Sequence, residues 1–362
     1  MSTILWTCPN RTPYNDYFFS SLAKDLPHEL SVIYFNEHIE SHPWKVFNRP
    51  SYRSMVIPAS LRNATGLLKE LIRSKADAVV IAGWNYPGVM LLWLGCLLTR
   101  TPYAIWNDTP HSEDRPFWIR QMRRAYLFCL LRAATRVWGT GREALVRLKA
   151  LGATSNRLQD LPYFVDLENL KRPTLLQNSE PNRPVRIISC GRLDNKQKGY
   201  DHAIQAIGLL RERGIADIHY LVIGNGKDRA ALEELIVRMA LDHTVTITGW
   251  MEYNDVLKHL TEADIFLHPS AFDPFAVAIL EAMASGLIVV GSIDAMSAYN
   301  RIEHGKNGII LNTRTPQAIA DALEQLLNIR DRWADMQAAA RQTAEEWPVS
   351  RGIKIVSDFM SD

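Results

Sequence analysis

Cysteine is scarce in this 362-residue chain: Cys8, Cys96, Cys129 and Cys190 form no C-x-x-C pair and have no histidine at ligand spacing. That excludes a disulfide framework and a cysteine–histidine zinc site, and each thiol reads as a small core residue in a reducing compartment. Long apolar runs are missing as well. The most apolar stretch, residues 89–98, is about half of what a bilayer crossing needs. The chain starts directly on a strand pattern, so no secretory signal is expected. Charge of one sign is also lacking. Lys+Arg 41 against Asp+Glu 39 leaves +2, too little for a global field that would attract nucleic acid. No D-x-D pair and no G-x-G-x-x-G occur, so a carboxylate metal clamp and a nicotinamide fingerprint are both without support.

What is present is a long alternation of short β-branched runs with amphipathic stretches. Apolar residues make up 47% and charged residues 22%, as in ordinary globular domains. Strands are expected at 3–7, 30–34, 55–57, 78–81, 103–106 and 136–138, with helices at 17–24, 60–73, 87–98, 117–133 and 142–151 between them. Near-continuous apolar strands such as 78–82 fit a parallel sheet covered on both faces. A polar, proline-rich segment at 167–184 breaks the pattern and reads as a linker. A second series follows, with strands at 185–189, 220–223, 245–248, 265–268, 288–290 and 308–311. Apolar positions recur at helical spacing near the C-terminus, and residues 347–362 are expected to return to the first domain. The organisation is therefore α/β: 1–166 with 347–362 as one doubly wound domain, and 185–346 as another. Ligands of such sheets sit outside the strands' carboxyl ends, in a cleft where two domains face each other.

Chemistry concentrates in the second half. The loop from Gly191 to Gly199 carries Arg192, a planar fork, and Lys198, a point charge, both suited to a diphosphate. Asp273 precedes Pro274 and Phe275, and reads as the N-cap of a helix whose first amides suit an anion. Glu281 follows about 9–12 Å further along such a helix axis, a span fitting two carboxylates that grip opposite ends of one ligand. Gly224 and Gly226 allow close backbone approach or a tight turn.

In order and spacing, the segments beginning at Gly191, Gly224, Thr248, Ala263, Glu281 and Glu303 resemble family 4 of the glycosyltransferases, retaining enzymes of the GT-B fold. The resemblance implies two Rossmann-like domains and a nucleotide-sugar donor, whose diphosphate Arg192 and Lys198 would hold. It implies Glu281 at the ribose and the backbone of Phe275, Ala276 and Val277 at sugar and phosphate. Gly224 and the loop at Gly249 and Trp250 would lie on the donor side, the latter beside the base. Asp273 stands where the family usually has Glu. The family's glycine-rich loop after the first strand is replaced here by residues 8–16.

The expectation is thus a metal-independent, retaining hexosyltransferase without a cofactor, acting on a saccharide or lipid-linked acceptor in envelope polysaccharide or glycolipid synthesis. Asp108 and His111 are candidates for sugar or acceptor contact. An epimerase or hydrolase on the same fold, or a non-catalytic nucleotide-sugar binder, are the alternatives. Residues 117–138 hold five arginines and no acid among aromatics. Such a segment suits either an anionic membrane surface or a core-packed helix with a wet basic face. The expected location is cytoplasmic, at the inner face of the plasma membrane if the segment binds lipid.

Overall fold

The computed structural model describes residues 2–36, 50–58, 60–109, 116–170 and 183–361. The chain divides into two compact units, Met1–Phe164 with Val349–Asp362, and Val165–Pro348.

The first unit is built on a parallel sheet of β1 (Thr3–Asn10), β2 (Glu29–Asn36), β3 (Arg53–Val56), β4 (Ala78–Ile81), β5 (Tyr103–Asn107), β6 (Arg136–Gly139) and β7 (Leu158–Asp160). Their order is β3-β2-β1-β4-β5-β6-β7. Trp6 lies opposite Val32 on one side and Val80 on the other, so β1 sits where the strand order reverses. Helices α1 (Pro13–Asp25), α2 (Ala64–Ser74), α3 (Pro87–Thr99), α4 (Phe117–Ala133) and α5 (Arg142–Ala150) connect the strands. Thr12 caps α1 by accepting from the Asn15 amide at 3.2 Å, and Pro13 opens it. The helix therefore begins four residues before the apolar periodicity does. β7 carries no sequence signal because its three residues, paired on β6 as Val137 with Leu158, Trp138 with Gln159 and Gly139 with Asp160, are too few to show a period.

An aromatic core fills one face of this sheet. The Trp6 ring meets Phe19 at 5.2 Å and Trp106 at 5.4 Å, both edge to face. The C-terminal helix Val349–Ser361 closes that core by burying Ile355, Val356 and Phe359. Trp138 stacks edgewise on Phe359 at 5.5 Å. Gly352 is required by contact: a Cβ there would lie 2.4 Å from the Phe164 ring.

The second unit repeats the plan with β8 (Val185–Cys190), β9 (Ile218–Ile223), β10 (Val245–Gly249), β11 (Ile265–His268), β12 (Ile288–Ser292) and β13 (Gly308–Leu311). The order β10-β9-β8-β11-β12-β13 reverses between β8 and β11. Its helices are α6 (Asn195–Lys198), α7 (Tyr200–Glu212), α8 (Arg229–Arg238), α9 (Tyr253–Glu262), α10 (Val277–Ala284), α11 (Met296–Arg301), α12 (Pro316–Asn328) and α13 (Trp333–Glu345). The core is mainly aliphatic, with Ile187, Val222, Leu267 and Val290 buried alongside Tyr200 and Tyr220. Residues 171–182 of the expected linker lie outside the described residues. Its far end is anchored, since Arg183 grips Asp264 with two hydrogen bonds of 2.8 and 2.5 Å.

Three expectations need correction. Asp273 is not a helix N-cap. The helix begins at Val277, with Ala276 as a cap residue that makes no side-chain bond. The span from Asp273 to Glu281 therefore does not run along one helix axis. Cys129 is not a core residue, for it lies exposed on α4 while Cys8 and Cys96 are buried. Helical position decides this: Leu127, Leu130 and Leu131 take the inward face instead.

Candidate functional site

The strand-order reversal between β8 and β11 places two loops side by side, 191–199 after β8 and 269–276 after β11. In open α/β sheets this is where ligands bind. Glycine stitches the neighbouring loops together. The Gly191 amide donates to Ile223 and the Gly224 amide to Gly249, both at 2.9 Å. A Cβ on Gly224 would sit 1.9 Å from the Gly191 carbonyl oxygen. Gly224 is thus demanded by backbone packing on Gly191. Gly249, at φ +82, is equally constrained, with the Arg229 guanidinium where a side chain would go.

The cationic loop contains a single helical turn, α6. Asp194 caps it, and Gly199 ends it at φ +69, pressed against the Pro269 carbonyl. This turn aims Gln197 and Lys198 at the second loop. Lys198 Nζ lies 2.5 Å from Asp273 Oδ2, and His268 Nε2 lies 3.2 Å from the same oxygen. Both Asp273 and His268 are buried. Burial works against ionisation of Asp273, yet the Lys198 charge and the His268 hydrogen bond hold its carboxyl well below the usual range. Burial likewise lowers the His268 value, although the Asp273 hydrogen bond opposes it. The imidazole is therefore neutral and the pair Lys198–Asp273 carries the charge.

Gln197 organises the rest. Its Oε1 accepts from Arg192 Nη2 at 2.7 Å, and its Nε2 donates to the Phe272 carbonyl at 3.1 Å. Its own carbonyl accepts from Ser270 Oγ at 2.8 Å and from the Ala271 amide at 2.7 Å. Phe275, Ala276 and Val277 are buried at the mouth of α10. Arg301 stacks over the Phe275 ring at 4.5 Å and over Trp347 at 4.9 Å. Ser297 donates to the Ala276 carbonyl at 3.0 Å, so α11 pins this segment from behind.

Glu281, on α10, is buried and accepts from the Tyr253 hydroxyl at 2.7 Å. Burial pushes its carboxyl up to about 7, with the Tyr253 hydrogen bond pulling the other way. Tyr253 opens α9, directly after the loop with Gly249 and the partly buried Trp250. Asp108 belongs to the first unit. It lies after β5, where Thr140 Oγ1 donates to it at 3.3 Å. His111 lies outside the described residues.

Arg192, Lys198 and Asp273 are therefore brought into one network, with Glu281 on the helix that follows. Sequence reading missed Gln197, His268, Tyr253 and Arg301, whose partners lie 5 to 75 residues away. Only the short apolar strand ending at His268 hinted at one of them. Among the described residues, no group of three or more His, Cys, Asp or Glu side chains is disposed to hold a metal ion. No described helix is long and apolar enough to cross a membrane.

Two doubly wound parallel sheets are the architecture of the GT-B fold, and residues 173–343 match the family described as Glycosyl transferases group 1. Among curated relatives, the amylovoran biosynthesis glycosyltransferase AmsK of Erwinia amylovora is 32% identical over 224 residues, covering 60% of this chain and 50% of that one. The uncharacterized glycosyltransferase MJ1607 of Methanocaldococcus jannaschii is 31% identical over 161 residues, 44% of this chain and 39% of its own. The chain spans about half the length of the curated relatives it matches or less. Among solved structures, Anabaena HepE in complex with UDP and glucose aligns over 100% of both chains with TM-score 0.77 at 17% identity. WaaG, a glycosyltransferase involved in lipopolysaccharide biosynthesis, aligns over 99% of both with TM-score 0.72 at 16% identity.

Proposed function

We propose that this protein is a family 4 retaining glycosyltransferase that moves a hexose from a nucleotide-sugar to a saccharide or lipid-linked acceptor, without a metal ion. The observation that carries the reading is the network at the second unit's strand reversal, where Gln197 holds Arg192 and Asp273, on the loop that leads into α10, holds Lys198. In transfer, the acceptor oxygen bonds to the anomeric carbon as the bond to the leaving phosphate oxygen breaks. The leaving phosphate takes the acceptor's proton. Negative charge grows on the diphosphate, and preorganised cations and helix amides stabilise such growth most effectively in a poorly solvated site.

In this reading Arg192 and Lys198 bind the diphosphate, and the backbone at Phe275, Ala276 and Val277 meets the phosphate and sugar. Glu281 takes the ribose diol, and Gly249 and Trp250 lie beside the base. Gly224 shapes the donor side by letting its loop pack against Gly191. Asp273 holds Lys198 and offers its carboxylate to hexose hydroxyls. Asp108 and His111 contact sugar or acceptor. HepE's complex with UDP and glucose and AmsK's part in amylovoran biosynthesis favour a nucleotide-sugar donor and a polysaccharide product. The test is a calorimetric screen of UDP-, GDP-, ADP- and TDP-sugars, followed by NMR of the product anomer with and without EDTA. An inverted product, or turnover abolished by EDTA, overturns the reading.

The same proposal places the protein in the cytoplasm, at the inner face of the plasma membrane. α4 exposes Phe117, Trp118, Met122 and Phe128 beside Arg120 and Arg124, and α3 exposes Met90, Leu94, Leu97 and Leu98. Trp93 and Tyr126, with ring centroids 5.7 Å apart, join the two helices. Apolar side chains interspersed with arginines favour an anionic lipid surface. Co-sedimentation with phosphatidylglycerol vesicles should fall for the Arg120→Ala/Arg123→Ala/Arg124→Ala variant; unchanged binding refutes membrane docking.

A further inference from the structure

Three residues of α11 grip the loop that leads from β11 into α10. The Met296 amide donates to the Asp273 carbonyl at 2.9 Å, and Ser297 Oγ donates to the Ala276 carbonyl at 3.0 Å. Arg301, at the end of the helix, is buried. Its guanidinium carbon lies 4.5 Å from the centre of the Phe275 ring and 4.9 Å from that of Trp347, so one cation meets two aromatic faces. Such contacts are strongest where both groups are desolvated, and a flat guanidinium stacks on a ring where an ammonium cannot.

The far side of this stack is itself held. Asn307 is fully buried and donates through Nδ2 to the Arg301 carbonyl and to Thr343 Oγ1, both at 2.9 Å. Its Oδ1 accepts from the Glu303 amide at 2.8 Å. Thr343 lies on α13 about one turn before Trp347, whose amide donates to the Ala344 carbonyl at 3.1 Å. The Arg301 backbone and the Trp347 ring therefore belong to one frame, and the guanidinium carries that frame to Phe275. The earlier half of the same loop is secured differently. Ser270, Ala271 and Phe272 all bond to Gln197, between the two cations of the neighbouring loop.

We propose that Arg301 is a positioning residue of the transfer reaction: stacked on Phe275 and Trp347, it fixes the backbone at 275–277 in the attitude that receives the donor's diphosphate. The inference rests on the glycosyl-transfer reading and adds to it a residue that acts through Phe275. Amides aimed at a growing charge are effective because they need no reorganisation when it forms. A loop released from α11 would have to be ordered again at each binding event, at the expense of affinity.

The test is calorimetry on the full chain with UDP and with uridine, or, where the wild type prefers another base, with that nucleoside diphosphate and its nucleoside. Arg301→Leu and Phe275→Leu should each lower diphosphate affinity about tenfold, the scale of a desolvated stack. Nucleoside affinity should not change, because the nucleoside reaches only the Glu281 end of the site. The double variant should bind the diphosphate no worse than the weaker single variant, since both substitutions break one link. Arg301→Lys keeps the charge and loses the flat stack, so it should recover little of the loss. It also decides the matter if circular dichroism shows that Arg301→Leu does not fold. Undiminished diphosphate affinity in Arg301→Leu or Arg301→Lys, additive losses in the double variant, or equal losses for nucleoside and diphosphate overturn the role of Arg301 and leave the transfer reading standing. A wild type that binds no nucleoside diphosphate overturns both.

Discussion

Lys198 and Asp273, separated by 75 residues in sequence, meet with Nζ 2.5 Å from Oδ2 in a pocket that leaves their side chains 13% and 10% exposed. Neither charge could stay there alone. Desolvating an ion is costly, and each partner makes the other's burial tolerable.

Asp273→Asn should therefore destabilise the protein by about 3–5 kcal/mol, the cost of stranding one partner of a buried pair. The pH dependence has a definite sign. A carboxyl whose folded value is depressed contributes stability above the ordinary carboxylate range, and that contribution is lost as pH falls through the folded value. Urea midpoints taken across acid pH should show wild type and variant converging as the medium becomes more acidic. A constant gap would refute the pairing.

Glu281 should act in the opposite sense. Its folded value, about 7, lies above the ordinary 4.5, so the folded state binds a proton that the unfolded chain has released. Stability then falls as pH rises between those values, by roughly 3 kcal/mol at about 1.4 kcal/mol per unit. Glu281→Gln should flatten this slope in chemical denaturation from pH 4 to 8. An unchanged slope would show that Glu281 is ionised throughout.

Two glycines separate backbone strain from collision. Gly305 has φ +78 with nothing within 4 Å of a Cβ, so Gly305→Ala should cost only the strain, about 1–2 kcal/mol. Gly224→Ala adds a clash at 1.9 Å with the Gly191 backbone. It should cost clearly more, and should weaken UDP binding by displacing the loop that carries Arg192. Equal melting temperatures would contradict the tight stacking.

Phe359 lies buried on the C-terminal helix against Trp138. Phe359→Ala should lose about 3–5 kcal/mol as the ring leaves a cavity in the aromatic core. Near-ultraviolet circular dichroism should report the loosened tryptophans. A variant as stable as the wild type would mean that the helix adds little to that unit.

Much of the architecture is legible from periodicity alone. Strands 78–81, 265–268 and 308–311 and helix 117–133 fall where the pattern puts them, because central parallel strands are apolar throughout and α4 carries an unbroken helical stripe. Thr12 with Pro13 also marks the start of α1, a signal that apolar spacing passes over. The opening of α10 is different. Asp273 with Pro274 looks like a cap in sequence, but Lys198 and His268 claim its carboxylate and the helix waits until Val277. A cap and a buried ion pair use the same side chain, and local sequence does not say which partner wins.

The chain's order of residues was enough to determine two α/β units and the loops in which Arg192, Lys198, Asp273 and Glu281 would fall, since those follow from short-range patterning. Only the tertiary structure decided that Gln197 orients Arg192, that Tyr253 meets Glu281, and that Gly224 yields space to Gly191. Such contacts depend on which strand ends become neighbours when a sheet reverses its order, and that adjacency is a property of the whole fold.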